Sequence, residues 1–403
     1  MPLLIGRRSL LRAGIAAAAL PALRSLAFAA EPGSGRGLLV HVFLGGGMDG
    51  LNFLSPADDA DFNDLRAPGL RVLNSGDQAG ARLDARPDVD FRLHPRAAPL
   101  AELWRDGRMA IWPACGVPQA TRSHFEAQGI MGWGQGRSSD RRASAGWLAR
   151  WAEGVAGRGD NGSNLLSLSA QNNTAANLMG ARRSVSVLAL DAGLRPPGGP
   201  FGEAMLTALH AEARGPAAEA GREALAALAN LNRLVPNAPP VPAAYAESAG
   251  FGRGLATIAQ LARLNPDLTA ASLALEGWDT HADQGGTFTE KVQTLVRGLM
   301  AFDADLRDLP RPWTVLVASE FGRRLRNNRS NGTDHGRAGT VFAISGGAGR
   351  RFGLARHFGA WPGLRPEALE EGVDLRVATD YRDAFRQVAL ELAPGAPPPF
   401  SQG

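Results

Sequence analysis

Asp334 and His335 lie side by side in Gly332-Thr333-Asp334-His335-Gly336, between two apolar, β-branched runs at residues 313–319 and 340–344. A carboxylate beside an imidazole offers oxygen and nitrogen ligands that suit Zn²⁺ or a similar divalent ion. The flanking glycines let the backbone turn tightly and come close to an ion. The same five residues would also serve as a polar turn. The metal reading therefore needs support from elsewhere in the chain.

Three further stretches place similar chemistry at the ends of apolar runs. Residues 37–44 form a nearly continuous apolar segment, the pattern of a strand buried in a parallel sheet. It runs into Gly45-Gly46-Gly47-Met48-Asp49. Ligands of open α/β sheets bind at the carboxyl ends of strands, so Asp49 stands where a metal-binding carboxylate is expected. The glycines could instead cradle a phosphate, but they lack the Lys-Ser/Thr of a P-loop and the spacing of a dinucleotide fingerprint. Asp49 could also simply cap the turn. Residues 271–276 read as a strand that delivers Asp279 and His281 through Gly277-Trp278-Asp279-Thr280-His281. Residues 313–318 read as another, ending in Ser319-Glu320-Phe321-Gly322-Arg323.

Residues 109–114 predict one more strand, whose loop leads to Thr121-Arg122-Ser123-His124. Ser123 would be a nucleophile at a strand-to-helix turn, since a serine hydroxyl needs a base or metal to ionise near neutral pH. Thr121 is the reserve nucleophile. Arg122 would hold an oxyanion with its planar fork. The competing reading makes Ser123 a helix cap, with Glu126 completing a capping box.

The elements that must position these residues follow from periodicity. Strands are expected at 164–168 and 184–190, and helices at 98–106, 146–153 and 288–309, with a closing helix within 377–392. Residues 201–264 are Ala-rich and helical, broken at 236–242, and read as an insertion or cap. Residues 58–90 are polar and turn-rich. The 44% hydrophobic content supports a real core. Cys115 is the single cysteine, so no intrachain disulfide can form, and a buried role is expected. Lys291 is the single lysine, and arginine supplies the remaining basic charge. No basic run interleaves with aromatics, which argues against nucleic-acid binding.

At the start, Arg7-Arg8-Ser9-Leu10-Leu11 precedes an apolar run at 13–20 and then Ala27-Phe28-Ala29. This pattern resembles a twin-arginine export signal over residues 1–29, with the mature chain at 30–403 in the periplasm. The apolar run is shorter than the ~20 residues that span a bilayer.

The segments at 44–52, 122–125, 277–281, 319–323 and 332–336 together resemble the DUF1501 family of exported bacterial proteins. That family in turn looks like a branch of the alkaline phosphatase and sulfatase superfamily. The resemblance implies an α/β fold, alkaline phosphatase-like, with a mainly parallel central sheet sandwiched by helices. It implies that Asp49, Asp334 and His335 hold one metal facing Ser123 or Thr121, and that Asp279 and His281 hold a second. Zn²⁺ is the first candidate, with Mg²⁺, Mn²⁺ and Ca²⁺ as alternatives. Arg122 and Arg323 would then neutralise the oxygens of a phosphoryl or sulfuryl group. Two departures leave a one-metal or degenerate site open. Asp279-x-His281 is tighter than the superfamily's Asp-x-x-x-His, and no matching histidine follows Asp334-His335, since His357 lies in different surroundings. Glu320 or His124 could fill the gap. The expected function is hydrolysis of phosphate or sulfate esters on a small or polymeric substrate. The alternative is a non-catalytic periplasmic protein that binds or assembles envelope material, with a partner encoded nearby.

Overall fold

Strand β1 (Leu38–Gly45) has no polar face to show to water. Its alternate residues Leu38, Val40, Val42 and Leu44 enter one hydrophobic core, while Leu39 enters another with Phe43 packed against it. Only a strand covered on both faces tolerates this pattern. Helices accordingly flank the sheet on both sides. Ala249–Leu264 and Gln284–Asp305 contribute to the first core, and His124–Trp133, Trp147–Ala156 and Tyr381–Leu392 to the second.

The structure is a computed structural model and describes residues 36–76, 79–140, 143–157, 165–190, 194, 196, 198–347 and 356–400. The expected export signal at residues 1–29 lies outside the described residues. Residues 35–403 form one compact unit.

The central sheet has eight strands in the order β11-β5-β10-β9-β1-β8-β6-β7. They are β1, β5 (Met109–Gly116), β6 (Ser167–Ser169), β7 (Ser184–Ser186), β8 (Ala270–Glu276), β9 (Trp313–Ala318), β10 (Gly339–Gly346) and β11 (Thr379–Asp380). Every pairing is parallel except the two made by β10, which runs against both β9 and β5. That reversal decides where the site lies. The carboxyl ends of β1, β5, β8 and β9 share one edge of the sheet. Because β10 is reversed, its entry also lies on that edge, bringing His335 to Asp279 and Asp334 to His281. A small antiparallel sheet, β2 (Leu54–Pro56), β4 (Phe91–Leu93) and β3 (Ala81–Leu83), lies apart.

The helical stretch expected at 201–264 divides in two. Gly199–Ala211 carries exposed Phe201, Met205 and Leu209, and Pro216–Leu234 buries only a few side chains. Ala249–Leu264 instead buries Phe251, Leu255, Ile258 and Leu261 beneath the sheet and is part of the core. Cys115 is buried in β5, and burial pushes its thiol pKa up, as expected of a small apolar residue. Among the described residues, no helix is long and apolar enough to cross a membrane.

Candidate metal centre

The glycine run after β1 turns with positive φ at Gly46 and Gly47. A Cβ at Gly46 would stand 2.5 Å from the Asp279 amide nitrogen, so only glycine fits. The turn aims two successive N–H groups at one carboxylate. Gly46 N donates to Glu320 Oε1 at 3.0 Å and Gly47 N to Oε2 at 3.1 Å. Backbone N–H groups arranged in this way form an anion cradle. Here the anion is the protein's own Glu320, which is fully buried and is also bonded by Ser319 and Gln128.

Glu320 in turn accepts from His124 Nδ1 at 2.8 Å. His335 Nδ1 meets the Arg122 carbonyl oxygen at 2.9 Å, and His281 Nδ1 meets Asp334 Oδ1 at 3.3 Å. A carbonyl or carboxylate oxygen only accepts, so each neutral ring carries its proton on Nδ1 and presents the Nε2 lone pair. All three Nε2 atoms converge on Asp279. His335 Nε2 is 3.0 Å and His281 Nε2 3.1 Å from Oδ1, and His124 Nε2 is 3.5 Å from Oδ2. The His281 and His335 Nε2 atoms are 2.9 Å apart. His124 Nε2 is buried and has no hydrogen-bond partner among the described residues. The buried ring of Phe321 packs against His124 and His335, with centroids 4.9 and 4.7 Å away.

This arrangement crowds acceptors against acceptors. Three lone pairs and a carboxylate face one another, and among the described residues the one donor on Asp279 is Arg323 Nη2 at 2.7 Å. A cation at their centre, or extra protons on the rings, resolves the conflict. The contacts of 2.9–3.1 Å among His281 Nε2, His335 Nε2 and Asp279 Oδ1 match the edge of about 3.0 Å of an octahedral site with metal–ligand bonds of about 2.0–2.1 Å, and His124 Nε2 faces the second carboxylate oxygen. The ligand atoms of His124, Asp279 and His335 all lie within 4.8 Å of one another, so these residues could hold a metal ion. Nδ1 anchors of this kind are what metal-binding histidines ordinarily carry. Burial works against ionisation of Asp279, but the His335 contact, once that ring is protonated, and the Arg323 hydrogen bond outweigh it and hold its pKa at about 2. At Asp334, the Asn328 hydrogen bond, with His281 beside it, lowers the carboxyl against the cost of burial.

The residues singled out in the sequence fall into three groups. Asp279, His281, His335 and His124 form one cluster, where two separate sites were expected. Asp334 and Glu320 stand behind it and orient His281 and His124. The remaining candidates have other partners. Asp49 is fully buried, bonded by Arg66, by Gln284 at 2.7 Å and by the Asn52 amide it caps at 3.2 Å, so the expected trio with Asp334 and His335 is not assembled. Arg323 does not face a substrate. Its guanidinium is buried and binds the carbonyls of Gly46, Gly47, Trp278 and Thr333, stitching three loops together. Arg122 is clasped by Asp374 and Glu371. Thr121 Oγ1 donates to Glu126 at 2.6 Å, which draws Glu126 away from the expected capping box. Ser123 occupies the cap position without a side-chain cap bond and is exposed.

Several supporting residues had no signal in the sequence, among them Arg66, Gln284 and Asp374. Gln128 had one, since it lies four residues after His124 and so on the same helix face.

No curated protein is detectably similar to the chain. The soluble domain of lipooligosaccharide phosphoethanolamine transferase A from Neisseria meningitidis is similar over 79% of each chain, with 11% identity and a TM-score of 0.35. Residues 112–378 match the family described as "Protein of unknown function (DUF1501)", and the chain belongs to that family.

Proposed function

We propose that the protein is an exported, metal-dependent hydrolase of phosphate or sulfate esters. The carrying observation is the convergence of three anchored imidazoles on Asp279, with the Nε2 of His124 buried and unpartnered. Three imidazoles and a carboxylate suit Zn²⁺ best, with other divalent ions less favoured. A bound divalent ion supplies Lewis acidity toward an ester oxygen and lowers the pKa of water. Among the chain's own groups, Glu320, Asp334 and the Arg122 carbonyl hold the three ring tautomers. Ser123 is the hydroxyl available for attack at phosphorus or sulfur, since Thr121 is spent on Glu126. The test is Ser123→Ala. Metal content should stay at the wild-type level while hydrolysis of aryl phosphates or sulfates falls at least a hundredfold. Wild-type protein that neither binds a divalent ion nor is stabilised by one would remove the reading.

One observation favours a second reading. Arg122 and Arg323, the two cations expected to hold a substrate anion, both bind the protein's own oxygens. A non-catalytic envelope protein that keeps the cluster for binding, with a partner encoded nearby, would need neither. Hydrolysis of any ester by the metal-loaded protein decides between the two. Export rests on Arg7, Arg8 and the segment behind them, which supports a periplasmic location.

A further inference from the structure

Three of the eight exposed large apolar side chains among the described residues stand on one helix, Gly199–Ala211. Phe201, Met205 and Leu209 are 76, 57 and 63% exposed and follow one another at four-residue spacing, so they line up as one ridge. Ala204 and Ala208, also exposed, form a low row beside it. The other five lie singly on separate segments, which is ordinary for a protein surface. Apolar residues at i, i+3, i+4, i+7 and i+8 mark a helix face that is normally covered. The protein's own body covers the opposite face. Gly202 is buried there, a Cβ on Gly221 of the helix Pro216–Leu234 would stand 2.5 Å from the His210 ring, and Arg222 donates to the His210 and Ala213 carbonyls. Pro216–Leu234 in turn buries Ala227 and Leu231 in the core. The ridge therefore faces outward from the outer of two layers.

Charge and shape indicate what covers it. The helix carries no Arg or Lys, and its acids are Glu203 and, at the C-terminal cap, Glu212. A helix that lies on an anionic membrane carries cations on its polar face, so a bilayer is a poor match. A second copy matches better. Met205 is the middle of the ridge, so a two-fold axis through it runs the helices antiparallel and sets Phe201 of each copy against Leu209 of the other. Each ridge then meets the low alanine row of the partner. The same axis brings Glu212, which lies on the ridge face, toward the start of the partner's helix at Gly198, where no side chain caps the backbone. A carboxylate beside a helix N-terminus is stabilising. The five apolar side chains offer on the order of 400 Å² per copy, about half of a standard interface. An area of that size suits a weak pair, with a Kd of about 10–100 µM.

We propose that this ridge joins two copies of the chain as a weak antiparallel helix–helix dimer, independently of the hydrolase reading. The test is sedimentation velocity of the purified protein from about 5 to about 500 µM, over which the average mass should rise from one copy toward two. Met205→Glu sets two carboxylates against each other at the axis and should raise Kd about tenfold or more. Its thermal midpoint should stay at the wild-type value, because the side chain is exposed. An equimolar mixture of the Met205→Glu and Met205→Arg variants should associate again, as expected where this residue faces its own copy. Wild-type protein that remains a single copy at the highest concentration would overturn the proposal. So would a dimer that Met205→Glu leaves intact, since it would form through another face. Flotation with phosphatidylglycerol vesicles, lost in Met205→Glu and seen without self-association, would overturn it in favour of a membrane surface.

Discussion

Asp49→Ala separates a structural carboxylate from a metal ligand. Asp49 and Arg66 have side chains with no exposure at all, and they face each other directly. Arg66 also donates to the carbonyls of Leu325 and Arg324, so its guanidinium cannot swing out to water when Asp49 is removed. Removing one partner of a buried ion pair costs about 3–5 kcal/mol, because the other charge stays buried and unpaired. Unfolding entropy near the midpoint is about 2.1 cal/mol/K per residue, or about 0.8 kcal/mol/K for the compact unit at residues 35–403. The expected fall in Tm is therefore about 4–6 °C. Calorimetry of the metal-free protein gives the midpoint, and elemental analysis after zinc loading gives the metal content. Asp49→Ala should lose stability and keep its metal. The double variant Asp49→Leu/Arg66→Met should recover much of the loss, since a buried pair can be replaced by apolar groups at little cost. Loss of metal by Asp49→Ala with an unchanged apo-protein midpoint would refute the argument and return Asp49 to the ligand set.

Asp279→Ala and His335→Ala should each abolish stoichiometric zinc, whereas Glu320→Gln should weaken zinc affinity about 10–100-fold, as loss of a ligand's supporting hydrogen bond does; elemental analysis and competition with a chelator distinguish these outcomes. His41 is buried against Phe43, Trp147 and Phe385, and desolvation lowers its pKa to about 3. The unfolded chain then binds a proton below about pH 6.5 that the folded chain refuses, so stability falls with pH from there down to about 3, by about 2 kcal/mol at pH 5. His41→Phe should flatten that part of the pH profile in urea titrations, and an unaltered slope would count against it. Arg7→Lys together with Arg8→Lys should leave the precursor in the cytoplasm, as fractionation and immunoblotting would show; normal export of the double variant would end the twin-arginine reading.

The principal strands were legible because a strand covered on both faces leaves a continuous apolar run, whichever way it runs, and five of these appear at 38–45, 109–116, 270–276, 313–318 and 339–346 with ends that match the sequence reading to within two residues. The polar residues just past such runs were legible as site candidates for the same reason, since a chain leaving a sheet must turn and exposes whatever follows. Asp279 and His281 were found in this way, and His335 as half of a glycine-flanked Asp-His pair between two such runs. The capping box at Ser123 was not realised, because Thr121 offered Glu126 a hydroxyl nearer than the helix start.

What tertiary structure alone decided is the role each of these residues plays. Local sequence does not say that β10 runs backwards, and only that reversal brings Asp334 and His335 to the edge where β8 and β9 end. It does not say that Arg66 and Gln284 close around Asp49 and draw it out of the cluster, because those partners lie 17 and 235 positions away and are selected by the burial of charge. Nor does it say that the glycine run cradles Glu320 in place of a ligand phosphate. Residue type limits a side chain to donating, accepting or carrying charge, and that much is written in the chain. Which atom meets which depends on the packing of distant segments, where each buried polar group takes the partner that the fold brings within about 3 Å.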